Sequence, residues 1–275
     1  MKNKLNAQNA HLVLLGGCAI AALLLRLLLT FFGYEAGTGL PIRGPIVSLL
    51  PLVVLLVVWA VFAWKLPVEK EPGPGFPEGF PMTKKALLVP VAGVFLMALS
   101  GVIDLANGVM AGNLQSAMGA DGMTDVLLIS TVTPKTLILL GISGLVMAIS
   151  LFPAVVACHK QQPLPSGILL IAPAILVLRL VLIYRIYSID PILIHYAPEL
   201  VATIFLTLSL YRLSSFAFRC GETRRFGLYA GWTVILSAAA VGGLENLSDE
   251  LFFAGAILLL AGLLKSRLTA YHTAA

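Results

Sequence analysis

The stretch LVLRLVLIYRIYSIDP, Leu176–Pro191, sets Arg179 in the middle of a Leu/Val run. An ionisable side chain in hydrocarbon is costly unless it is paired, faces a bundle interior or snorkels to the interface. The neighbours of this arginine therefore decide how the chain is organised. A second copy of the pattern exists: LLLRLLLTFFGY, Leu23–Tyr34, puts Arg26 where Arg179 stands and Tyr34 where Tyr187 stands. Leucine identities carry little weight, but rarer residues follow in the same order. LLPLVVLLVVWAVFAWK (49–65) aligns with YAPELVATIFLTLSLYR (196–212), with Pro51 opposite Pro198 and Trp64-Lys65 opposite Tyr211-Arg212. Lys84-Lys85 then answers to Arg224-Arg225, and Asp104 to Glu245. Four spans duplicated in tandem are expected. Because four is even, the copies point the same way, as parallel repeats about an axis along the membrane normal.

Composition agrees with a membrane chain. Of 275 residues, 59% are hydrophobic and 11% charged, with a mean hydropathy of +0.97; soluble domains carry about 25% charged residues. Eight stretches approach the length of a spanning helix, roughly 20 apolar residues. They are 11–32, 44–64, 86–106, 136–157, 166–186, 193–213, 226–244 and 249–266. The expected fold is an all-α polytopic membrane protein of eight transmembrane helices, with repeats over 1–160 and 161–275.

Lys/Arg asymmetry orients the spans. With the N-terminus inside, one side holds Lys2, Lys4, Lys65, Lys70, Lys84, Lys85, Lys160, Arg212, Arg219, Arg224, Arg225, Lys265 and Arg267, and the other only Arg43, Lys135 and Arg185. Both termini are expected in the cytoplasm of a plasma-membrane protein. The net charge of +5 is thereby a topology signal and not a nucleic-acid patch. Lys2, Lys4 and LGGC (15–18) resemble a signal or lipoprotein start, but the apolar run continues to Phe32, so an uncleaved first span is expected. Two loops stand out. Residues 66–83, LPVEKEPGPGFPEGFPMT, are expected to be a non-helical, flexible cytoplasmic linker. Residues 107–135 form a long outer loop whose MTDVLLISTVT part could lie on the surface, extend a span or dip back as a lid.

No familiar chemistry is encoded. P-loop, HExxH, dinucleotide and paired-glutamate protease motifs are absent, and GISG (141–144) lacks the partner histidine segment of a rhomboid protease. Cys18, Cys158 and Cys220 show no metal or disulfide spacing, so neither cofactor nor metal is expected, nor an enzyme. Polar residues concentrate at the outer half instead. Arg26, Arg179, Glu199, His195, Tyr196 and Asp104 are the candidate substrate-binding residues, and Pro51 and Pro198 the candidate hinges. Glu199 is the expected ion-pair partner of Arg179; Leu52 holds its place in the first copy. Two readings stand. One is a small-solute transporter or permease component with an outward-facing charged cavity for an anionic solute and a proton coupled through Glu199 and His195. The other is a non-catalytic sensor or scaffold subunit, in which the arginines lock the fold and a membrane-protein partner or second copy completes the assembly.

The pattern YRIYSIDP…YAPEL…LYR in spans 5 and 6 resembles uncharacterised multi-pass membrane proteins of anaerobic Firmicutes. The resemblance implies a bacterial plasma-membrane protein and transfers no activity or site residues.

Overall fold

The computed structural model describes residues 2–33, 45–66, 68, 74–118, 133–187, 193–243 and 246–274. These residues are helical, with no strand among them. Eight long helices run in chain order as α1 (Lys2–Phe32), α2 (Pro45–Ala63), α4 (Lys84–Met118), α5 (Pro134–Lys160), α6 (Ser166–Tyr187), α7 (Leu193–Ser215), α8 (Thr223–Val241) and α9 (Leu247–Ala274). A single turn, α3 (Phe76–Gly79), precedes α4, and a 3-10 turn, Phe216–Phe218, follows α7.

Among the described residues, six helices are long and apolar enough to cross a membrane: Ala10–Phe32, Lys84–Leu114, Pro134–Lys160, Ser166–Ile186, Tyr196–Phe218 and Leu247–Tyr271. The expected count was eight. The two helices that fall short do so for different reasons. Within α2 the described side chains form a shorter apolar stretch, Leu49–Ala63. α8 is the least lipid-exposed: it packs on α1, α2, α7 and α9, and Phe226, Gly227, Ala230, Gly231 and 233–240 are all buried. A helix wrapped by other helices has little need of an apolar outer face, so Gly, Ala, Ser and Thr can replace Leu.

The halves 1–160 and 161–275 are not separate bodies. α4 packs on α9, α1 and α2 on α8, and α5 on α6, around one core that draws on both halves. Small residues set the closest crossings. A Cβ on Gly93 would stand 2.6 Å from the Gly255 carbonyl oxygen, and one on Gly101 2.9 Å from that of Gly141. Buried hydroxyls return to their own helices, as Thr203 Oγ1 does to the Glu199 carbonyl at 3.0 Å. Ser209 and Thr233 join α7 to α8 at 2.8 Å.

Several boundaries differ from expectation, α1 among them, which begins at Lys2 and not at 11. α4 runs twelve residues past 106, into what was expected to be outer loop, and Asp104 therefore sits inside a helix and not at its end. α9 continues eight residues past 266. The 66–83 linker, expected to lack helix, contains α3 and buries Phe76, Phe80 and Met82. Its two Gly-Phe-Pro triplets place an aromatic ring at each end of a one-turn helix, and burial of those rings fixes the segment. MTDVLLISTVT lies outside the described residues except for its last threonine, Thr133, which N-caps α5 by accepting from the Thr136 amide at 3.4 Å.

Candidate functional site

The polar side chains of the bundle fall into two groups toward the acid-rich end. The first surrounds Arg179, 1% exposed on α6. Its Nη2 donates to Asp249 Oδ1 at 3.1 Å, and its Nη1 lies 3.7 Å from Asp104 Oδ2. The Phe252 ring packs against the guanidinium face, 3.9 Å from Cζ. Ser248 donates to the other oxygen of Asp104. Three helices thus meet at one cation: α6 supplies it, α4 brings Asp104, and the first turns of α9 bring Ser248, Asp249 and Phe252. The amide dipoles at the start of α9 favour Asp249 there. Arg179 Nε and Asp104 Oδ2 have no hydrogen-bond partner among the described residues. Arg179 and Asp104 are buried, Asp249 keeps 16% of its side chain exposed, and the buried part of the cluster is not fully satisfied.

The second group surrounds Arg26, 5% exposed on α1. Arg26 lines a narrow cleft with Ala22, Leu49, Pro51, Pro198 and Ala239, among others. The cleft is ≈ 20 Å³, room for about one water. Proline removes a helical amide and frees the carbonyl one turn earlier, and here Pro51 of α2 and Pro198 of α7 both line the cleft with Arg26. The other flank is the C-terminal end of α8: Gly242 and Gly243 pack on the Arg26 side chain, and a Cβ at Gly242 would stand 3.2 Å from Arg26 Cβ. Thr30, one turn on, reaches the Gly242 carbonyl at 3.4 Å. A cation beside carbonyls at a helix C-terminus is electrostatically favoured.

The structure therefore joins Arg179 to Asp104, and Arg26 to Pro51 and Pro198. It does not merge the two arginines into one cavity, since no residue of the Arg179 cluster lines the Arg26 cleft. The carboxylates on Arg179 are Asp104 and Asp249, in place of the expected Glu199. Glu199 is 2% exposed beside Pro198 on α7. Tyr196 is half-buried in the first turns of α7. His195 belongs to the first turn of α7, with its side chain outside the described residues, and Glu245 is likewise outside them. Asp249 and Phe252 were not singled out from sequence, although their three-residue spacing at a helix start places both on one face.

A larger opening, ≈ 350 Å³, lies between α4 and α5 and is lined by Val91, Val94, Phe95, Ala98, Leu145, Ala148, Ile149 and Phe152. It is wholly apolar and offers nothing to a charged solute. Among the described residues no group of three or more His, Cys, Asp or Glu could hold a metal ion. Compared with known proteins, the chain matches no family model, no curated protein and no solved structure.

Proposed function

We propose that this multi-pass membrane protein is a small-solute transporter or permease component, that both termini are cytoplasmic, and that the cleft at Arg26 is where an anionic solute is held. The observation that carries the reading is the meeting of Arg26 with Pro51 and Pro198. Arg26 shares one cleft with two prolines that interrupt their helices' hydrogen-bond ladders at corresponding points, and interrupted helices in a membrane bundle serve as ligand contacts or hinges. The cleft as it stands has room for about one water, so holding an anion requires the helices to part there, with Pro51 and Pro198 as the hinges.

The tandem repeat supports the same reading. Arg26 of α1 lies against the C-terminal end of α8, the third helix of the second copy. Arg179 of α6 lies against Asp104 of α4, the third helix of the first. Each arginine reaches across to the other half, as two halves related by an axis along the membrane normal would place them.

The test is thermal stability of the purified protein in detergent against chloride, phosphate, acetate and lactate, repeated with Arg26→Ala and Arg26→Lys. At least one anion stabilises the wild type, and Arg26→Ala abolishes the shift without loss of the folded state. A wild type indifferent to every anion, or a shift that survives Arg26→Ala, overturns the assignment.

The second reading, a sensor or scaffold subunit, is favoured by the Arg179 cluster. Its arginine is sealed by two aspartates and a phenylalanine and serves to lock three helices. Co-purification of a stoichiometric membrane partner, with no solute flux through the isolated chain in liposomes, would select it.

A further inference from the structure

The bundle has a second polar centre, at its other, basic end. Arg267 on α9 is 3% exposed. Its Nε donates to Thr223 Oγ1 and its Nη1 to the Gly79 carbonyl, both at 2.9 Å. The Phe216 and Phe80 rings lie 5.1 and 5.8 Å from its Cζ. Much of what surrounds this buried cation therefore comes from residues 74–82, PGFPEGFPM, which belong to no long helix.

Three carbonyls of that segment are taken up by side chains of the bundle. Gly79 is bound by Arg267, Pro81 by Ser266 Oγ at 2.8 Å, and Met82 by His159 Nδ1 at 2.9 Å. Prolines 77 and 81 limit the segment to one helical turn, which leaves those carbonyls free of a helical partner. Phe80 is fully buried, edge-on to Phe216 at 5.0 Å and to Phe226 at 5.6 Å, and Phe76 lies tilted against it at 5.4 Å. The segment is thus seated among the end of α5, the turn after α7, the start of α8 and the end of α9.

We propose that residues 74–82 are an inner plug, a gate that closes the basic end of the bundle while the Arg26 cleft is occluded, and whose withdrawal opens the interior from that side. This rests on the transport reading. The hydrogen bonds described above join the segment to side chains and not to a backbone ladder. Withdrawal therefore breaks a few discrete bonds and unseats two rings without unwinding any long helix. A linker with no such role would have little reason to bury two phenylalanines or to cap a buried arginine.

A native thiol reports on the plug. Cys158, next to His159, is fully buried, whereas Cys220 is exposed. In a Cys18→Ser/Cys220→Ser background Cys158 is the sole thiol, and its maleimide labelling rate is read alongside hydrogen exchange of 74–82. Phe80→Ala removes the wedge, and Ser266→Ala is a milder release that removes one carbonyl bond. Both variants are expected to speed exchange of 74–82 and to label Cys158 faster, by at least about tenfold for Phe80→Ala, with helicity unchanged. The proposal is overturned if the segment exchanges freely in either variant while Cys158 stays protected, since it is then a surface strap. It is equally overturned if neither rate moves in the folded variants. Neither readout involves a solute, so a failure of the anion assignment at Arg26 leaves this result interpretable.

Discussion

Arg179 and Asp249 are bound at 3.1 Å across the α6–α9 interface, with Asp104 of α4 at 3.7 Å on the same guanidinium. Removing the cation leaves two carboxylates facing each other in a medium of low dielectric. Breaking a buried pair in this way costs about 3–5 kcal/mol, and Arg179→Met should lower thermal stability in detergent by that order. Arg179→Lys should fall between, because an ammonium cannot serve both acids with a planar fork. The triple variant Arg179→Met/Asp104→Asn/Asp249→Asn should recover much of the loss. Wild-type stability in Arg179→Met alone would mean the cluster does not lock the helices.

The glycines divide into two classes with opposite expected effects. Gly93 and Gly255 face each other across α4 and α9, and a Cβ on either would stand 2.6 Å from the other's carbonyl oxygen. Neither backbone can yield without parting the helices, so Gly93→Ala should destabilise by about 1–3 kcal/mol, the usual range for overpacking. A Cβ on Gly16, within α1, meets nothing within 4 Å. Gly16→Ala should instead stabilise by about 0.5–1 kcal/mol, through helix propensity and a less flexible unfolded chain. Melting curves of the two variants side by side check the contrast.

The membrane class and most helix positions could be read from the sequence because each is a local property of composition or spacing. The partner of Arg179 could not. Hairpin adjacency favours Glu199 on the next helix, but Arg179 faces α4 and α9, and nothing local states which non-adjacent helices become neighbours. The same limit explains α8. Hydropathy finds helices that must face lipid, and α8, surrounded by four others, is freed from that requirement. In 66–83 the Pro/Gly content pointed to a non-helical, flexible linker, whereas Phe76–Gly79 form a helical turn. The same content concealed Phe76 and Phe80, whose burial depends on a site built by α5, α7, α8 and α9.

The expected orientation can be tested at Cys220, which is exposed at the basic end between the 3-10 turn and α8. With the N-terminus inside, a membrane-impermeant maleimide should leave Cys220 unlabelled on intact cells and label it after permeabilisation. Cys18 and Cys158 are buried and should resist in both conditions while the protein is folded. Labelling of Cys220 on intact cells would invert the proposed topology.

α2 is held by a reciprocal exchange of indole bonds with α8. Trp59 Nε1 donates to the Gly227 and Leu228 carbonyls at 3.3 and 3.2 Å, and Trp232 Nε1 returns a bond to the Leu56 carbonyl at 2.9 Å. Elsewhere α2 shows Val53, Val54, Val57 and Val61 to its surroundings, so this seam and its contact with α1 hold it in place. Gly231 lies directly under the Trp59 ring, where an added Cβ would collide with the indole. Gly231→Ala should therefore expel Trp59 and loosen α2 at a cost of about 1–3 kcal/mol, whereas Trp232→Phe, which keeps a ring but loses the indole hydrogen bond and part of the packing on Phe205 and Tyr229, should cost about 1–2 kcal/mol. In a Trp64→Phe/Trp232→Phe background, where Trp59 is the sole tryptophan, its fluorescence in bilayers should be poorly quenched by brominated acyl chains and clearly quenched after Gly231→Ala. Equal quenching in the two proteins would show that α2 is not seated through Trp59, and would remove Pro51 from its place beside Arg26.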